Sequence, residues 1–141
     1  MVKVHTIEML EHSAHSTPNV KAHADMMNGA LVGLADGVTT APADGEELYI
    51  VLNVQSGDNE YAENYPIAKD TMVNLFKVSN WVGKTLDVTS TNIVDDYADI
   101  AEGDALTFDA ATFKFTKGAG VFKAGKKFGA GVNGVYVDIV G

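Results

Sequence analysis

The feature that most constrains the fold is a run of alternating residues between Glu102 and Lys117. Leu106 and Phe108 alternate with polar or small neighbours, Asp109-Ala110-Ala111 interrupts, and Phe113 and Phe115 then alternate with Thr112, Lys114 and Thr116. A period of two is the signature of a strand with one face buried, so the stretch predicts a β-hairpin. Gly103-Asp104 supplies backbone freedom and a side chain that bonds a following amide, which turns the chain into the first strand. The run contains no nucleophile, general base or ligand set. What it dictates is architecture: an all-β chain, organised as a small β-barrel or sandwich.

The rest of the sequence repeats that grammar. Asn28-Gly29 and Asp36-Gly37 are turn signals on either side of a short apolar strand, Ala30 to Leu34. Leu48 to Val54 is nearly continuous in apolar residues, which predicts a strand covered on both faces. Ser56 to Asn64 is a polar, acidic loop, Met72 to Val78 a strand, and Thr85 to Thr89 a strand in which Leu86 and Val88 alternate with polar residues. Residues 91 to 101 predict a solvated loop or one short helical turn. Gly118-Ala119-Gly120 separates Lys117 from Val121-Phe122, and residues 125 to 134 are rich in glycine and lysine. Asn133-Gly134 fits a two-residue turn in front of a last strand, Val135 to Val140. Fourteen glycines against three prolines agree with many short strands and tight turns. Residues 1–27 read differently, as an extended N-terminal arm ahead of a β-barrel domain at 28–141. They hold all four histidines and a polar centre at Ser13 to Asn19, where Pro18 stops any helix longer than one turn around Ile7, Met9 and Leu10.

Composition narrows the chemistry. A length of 141 residues suits one domain with one core. The absence of cysteine removes disulfides, thiol nucleophiles and thiolate metal sites. No signal-length apolar run opens the sequence and no membrane-spanning apolar run occurs, so synthesis in the cytoplasm is expected. The net charge is −9 and all ten basic residues are lysines, which argues against direct binding of nucleic acid: no arginine fork is present, and a negative surface repels a polyanion. The charge is uneven, with fifteen acids and five lysines up to residue 100 and four acids and five lysines after it. That imbalance fits one face kept soluble and another available for contact, and equally fits ordinary solubility charge.

Each candidate site has a plainer reading beside it. His12 and His15, with Glu8 and Glu11, offer donor types that suit zinc, but their spacing matches no specific signature; histidines on a polar arm that meets solvent or a neighbouring subunit account for them. Asp95, Asp96, Asp99, Glu102 and Asp104 have the oxygens for calcium without the EF-hand spacing, and a solvated loop explains them as well. Trp81, with Tyr97 or Tyr65, could form a sugar-stacking platform, although a lone tryptophan in a small β-protein more often packs in the core. Gly125-Lys126-Lys127 lacks the remainder of a phosphate-binding loop. Serine, histidine and aspartate occur without a local catalytic frame. The residues therefore nominate no catalytic, cofactor-binding or metal-binding set.

An N-terminal arm, a glycine-punctuated β body, and Gly103-Asp104-Ala105-Leu106-Thr107-Phe108-Asp109 before Phe113-Lys114-Phe115 together resemble the head-decoration, or capsid cement, proteins of tailed bacteriophages. The resemblance implies a β-tulip-like body and a non-enzymatic structural protein of the virion without cofactors. Such a protein binds the capsid exterior and stabilises the shell by bridging subunits of the major capsid protein. It also implies a homo-oligomer, with a trimer favoured, and places the contacts on Val4, Ile7, Met9, Leu10, Met26 and Met27. The alternative from another class is a carbohydrate- or surface-binding β-module with Trp81 and the acidic loop at its site.

Overall fold

The computed structural model describes residues 2–4, 16–52, 66–129 and 133–141. Among them the chain forms β1 (Val2–Val4), β2 (Ser16–Lys21), β3 (Met26–Met27), β4 (Leu31–Ala35), β5 (Val38–Thr40), β6 (Tyr49–Val51) and β7 (Pro66–Ile67). There follow β8 (Met72–Lys77), β9 (Thr85–Thr89), β10 (Ala105–Asp109), β11 (Lys114–Lys117), β12 (Phe122–Gly129) and β13 (Asn133–Ile139). Short 3-10 turns occupy Val78–Trp81, Ser90–Asn92 and Tyr97–Asp99. No helix in the described residues is long and apolar enough to cross a membrane.

The protein is all-β, and the strands sort into a closed barrel, a six-stranded sheet and a small two-stranded sheet. The barrel runs β2-β5-β4-β6-β8, closed by antiparallel β8–β2 pairing. The larger sheet has the order β1-β9-β13-β12-β10-β11, and β3 pairs with β7. Two apolar clusters hold these units together. One lies inside the barrel and includes Val20, Val32, Val51, Val73 and Leu75; the other joins Leu31 and Ile50 of the barrel to Leu86, Leu106, Phe115, Phe122 and Val137 of the sheet. Successive residues of a strand point to opposite faces, so β4 and β6 send Val32 and Val51 into the barrel and Leu31 and Ile50 towards the sheet. This is why the sequence is apolar at three successive residues here: the observed strand, Tyr49–Val51, is covered on both sides.

Several turns form where glycine signals place them. Asp36 and Gly37 both have positive φ, 52° and 76°, and link β4 to β5 as the two-residue hairpin that this geometry requires. Others do not. Asn133-Gly134, which the sequence reads as a turn, is part of β13 and pairs with Gly129 and Phe128. A Cβ on Gly134 would fall 2.1 Å from Cζ of Phe128, so the glycine seats an aromatic ring across the strand pair. The glycine- and lysine-rich residues before it form β12, with a register shift between Ala124 and Lys127. Likewise Ser16–Lys21, which the sequence assigns to an arm, is a barrel strand. Pro18 is tolerated because the register of β2 against β8 shifts between Thr17 and Val20, and Asn19 takes a left-handed φ of 62°. An irregularity of this kind is where a strand accepts a proline that has no amide to donate.

The β10–β11 hairpin is present, and its register pairs Phe108 with Phe115 and Leu106 with Lys117. It differs from the alternation reading at one residue. Phe113 belongs to the turn and has a φ of 62°, a conformation unusual for a bulky side chain.

Candidate functional site

The turn of that hairpin reaches from the six-stranded sheet to the barrel and makes the junction between them. Asp109 shapes it: its Oδ2 accepts hydrogen bonds from the Thr112 amide and hydroxyl, and its carbonyl accepts from the Phe113 amide at 2.8 Å. The carbonyl of Phe113 accepts from the Leu31 amide of β4 at 2.8 Å, and the Phe113 ring packs on the cluster inside the barrel. His23 meets that ring edge-on, with centroids 5.2 Å apart and planes at 71°. Nearby, Asn92 donates to the Asn28 carbonyl at 3.2 Å, a second polar tie between sheet and barrel.

Beside this junction lies a cavity of about 280 Å³ lined by Asp25, Met26, Met27, Ala30, Asn92, Thr112, Phe113 and Lys114. Its lining mixes apolar side chains with polar ones that carry both signs of charge, Asp25 and Lys114. Asp25 is already engaged, since its Oδ1 accepts from the Lys69 amide at 2.8 Å.

The residues nominated for contacts from sequence fall in different places. Met26 is 7% exposed and belongs to the barrel cluster, so its buried side chain chiefly serves packing. Met27 is half-buried, and both methionines line the cavity. Val4 pairs with Leu86 at the edge of the six-stranded sheet. Ile7, Met9 and Leu10, together with His5, His12 and His15, lie outside the described residues, as do Ser56 to Asn64 and Tyr65.

Trp81 is not a surface platform: it is 6% exposed and stacks on Phe76 with centroids 5.2 Å apart. Its burial removes the stacking face on which the sugar reading rests. The acidic segment is stapled to the sheet by its own carboxylates. Asp95 Oδ2 accepts from the Thr116 hydroxyl at 2.9 Å and the Lys117 amide at 2.8 Å. Asp104 Oδ2 accepts from the Ala101 amide at 2.8 Å and pairs with Lys117 Nζ at 3.6 Å. The Ala101 amide first, and then the positive charge of Lys117, hold the Asp104 carboxyl below the usual carboxylate range. Among the described residues no three histidine, aspartate or glutamate side chains converge on a metal position.

Lys127, which sequence reading leaves unassigned, clamps the same segment. Its Nζ donates to the Tyr97 carbonyl at 2.6 Å and sits 4.4 Å from the centre of the Tyr97 ring, a cation–π contact. It stands at the end of the register shift in β12. The role of Phe113 was also hidden, although Asp109 followed three residues later by Thr112 is a local signal for a side-chain-capped turn.

No protein-family model matches the chain, and comparison with curated proteins yields no significant relative.

Proposed function

We propose that this protein is a non-enzymatic structural subunit that binds the exterior of a bacteriophage capsid and stabilises the shell by bridging major capsid protein subunits. The observation that carries the reading is the hairpin of the resembling motif. Gly103 turns with a φ of 95°, Asp104 caps the turn through the Ala101 amide, and β10 and β11 follow in register. Adhesion is supported by how the side chains are spent. Asp95, Asp104, Asp109, Lys117 and Lys127 all bind other parts of the chain, which fixes the shape of the surface. Bridging needs no single strong contact, because several weak ones on a fixed body add through effective concentration.

The contact set in this reading is Val4, Ile7, Met9, Leu10 and Met27, with Met26 supporting Met27 from within the barrel. Co-sedimentation with empty heads of the cognate phage tests it. Substitutions are preferable to truncation through residue 27, because Ser16–Lys21 is a barrel strand. The wild type should pellet with heads, and the triple variant Ile7→Ser, Met9→Ser, Leu10→Ser should pellet less while keeping its unfolding midpoint. A wild type that stays in the supernatant would refute the capsid role; a triple variant that pellets fully would refute the assignment of these three residues. Binding of the isolated protein to an array of glycans would instead favour the surface-binding module, without Trp81 as its platform.

A further inference from the structure

The cavity at the junction of barrel and sheet carries two opposite charges that are not spent on each other. Asp25 precedes β3, Lys114 opens β11, and both line the cavity. The Lys69 amide occupies one Asp25 oxygen, Oδ1, and leaves Oδ2 to receive a second donor. Among the described residues neither Asp25 nor Lys114 forms an ion pair, so their charged atoms lie more than 4.0 Å apart. Lysines elsewhere on the sheet are engaged: Lys117 meets Asp104 at 3.6 Å, and Lys127 donates to the Tyr97 carbonyl. The shielded lining of the cavity is mostly apolar, with Met26 and Ala30 at 7% and 3% exposure, whereas Asp25 faces solvent and Lys114 is half-buried.

This combination selects a class of ligand. A carboxylate alone is drawn to Lys114 and repelled by Asp25, and an ammonium alone meets the reverse. A neutral apolar molecule strips water from both charges and puts nothing in its place. A zwitterion with an apolar substituent is attracted by both groups and repelled by neither. Size narrows the class further: the cavity of about 280 Å³ equals about nine water volumes, which suits a molecule of about nine heavy atoms such as leucine. An ammonium and a carboxylate on one carbon lie about 3 Å apart, and a charge-assisted hydrogen bond at each end adds about 2.8 Å, so an α-amino acid bridges charges up to about 8 Å apart. A sphere of the cavity's volume has about that diameter. We propose that the cavity binds a free α-amino acid with an aliphatic side chain: Asp25 receives its ammonium, Lys114 its carboxylate, and Met26, Met27 and Phe113 its side chain. This activity stands apart from shell binding and is tested on the protein alone, so either reading can fail without the other.

The full-length protein is titrated with L-leucine and followed by amide NMR. A ligand of about nine heavy atoms with ordinary efficiency binds on the order of millimolar, which the titration resolves. The amides of Met27, Thr112, Phe113 and Lys114 should shift and saturate together, while that of Val137 in the six-stranded sheet stays in place. N-acetylleucine, which lacks the ammonium, and leucinamide, which lacks the carboxylate, should each bind about tenfold more weakly, and glycine should lose the apolar share of the affinity. Asp25→Asn keeps an oxygen for the Lys69 amide; it should weaken leucine about tenfold and abolish the preference for leucine over N-acetylleucine. Lys114→Gln should do the same for the preference over leucinamide, a pattern that a merely structural role for either residue does not produce. No saturable shift with leucine, equal shifts at Val137, or N-acetylleucine and leucinamide binding as tightly as leucine would each overturn the proposal. Those three outcomes are read on the wild type, so they decide the matter even where a variant fails to fold.

Discussion

Replacing Phe113 separates two effects that normally oppose each other. Its ring packs half-buried against the barrel cluster while its backbone sits at a φ of 62°. Truncating a fully buried phenylalanine to alanine costs about 3–5 kcal/mol, so a half-buried ring whose site is open to solvent gives about 2 kcal/mol for Phe113→Ala. Phe113→Gly loses the same ring but relieves a left-handed conformation that costs a non-glycine residue about 1 kcal/mol. The glycine variant should therefore be the more stable of the two by about 1 kcal/mol, the reverse of the usual order in regular structure. Urea unfolding followed by the fluorescence of buried Trp81 measures both. With an m-value of about 2 kcal/mol per molar, the alanine variant should lose about 1 M in midpoint and the glycine variant about half of that. An alanine variant at least as stable as the glycine one would refute the left-handed turn. Two variants within error of the wild type would refute the claim that this ring ties hairpin to barrel.

Three further outcomes follow from the same geometry. Gly134→Ala places a methyl group against the Phe128 ring and should lower stability by about 1–2 kcal/mol, with much of the loss recovered in the double variant Gly134→Ala, Phe128→Leu; thermal unfolding of the three proteins checks this. The Asp104 carboxyl titrates below its ordinary value of 3.8, so its contribution is present above that pH and lost as pH falls through the folded value; Asp104→Asn should flatten the acid limb of the stability curve below pH 4. Lys127→Met keeps the length of the side chain but removes its charge and its bond to Tyr97, and should speed exchange of the Asp99 and Ile100 amides while leaving those of β13 unchanged.

The strands legible in the sequence are those whose signal is local. Met72–Lys77 and Thr85–Thr89 lie almost where alternation puts them, because one face of each meets a core. Asp36-Gly37 was readable because a two-residue hairpin turn demands positive φ at both positions, which few residues other than asparagine, aspartate and glycine supply. The doubly buried strand at Tyr49–Val51 was readable from the lack of polar residues. All-β character, a glycine-punctuated body and the β10–β11 hairpin thus followed from the order of residues alone.

What depended on partners distant in sequence could be decided only by the tertiary structure. Pro18 reads as a breaker until β8 accommodates the irregular register of β2, and Gly134 reads as a turn until the Phe128 ring lies over it. Phe113 reads as one more inward strand residue until the barrel cluster draws its ring across, at the expense of an unusual backbone. His23 reads as one polar residue of an arm until Thr39, sixteen residues away, accepts its backbone amide and the Phe113 ring meets its own. The physical reason is common to all four. Local pattern encodes which face of an element is apolar, whereas the meaning of a single proline, glycine, aromatic or histidine residue is set by the atoms that surround it after the chain has folded.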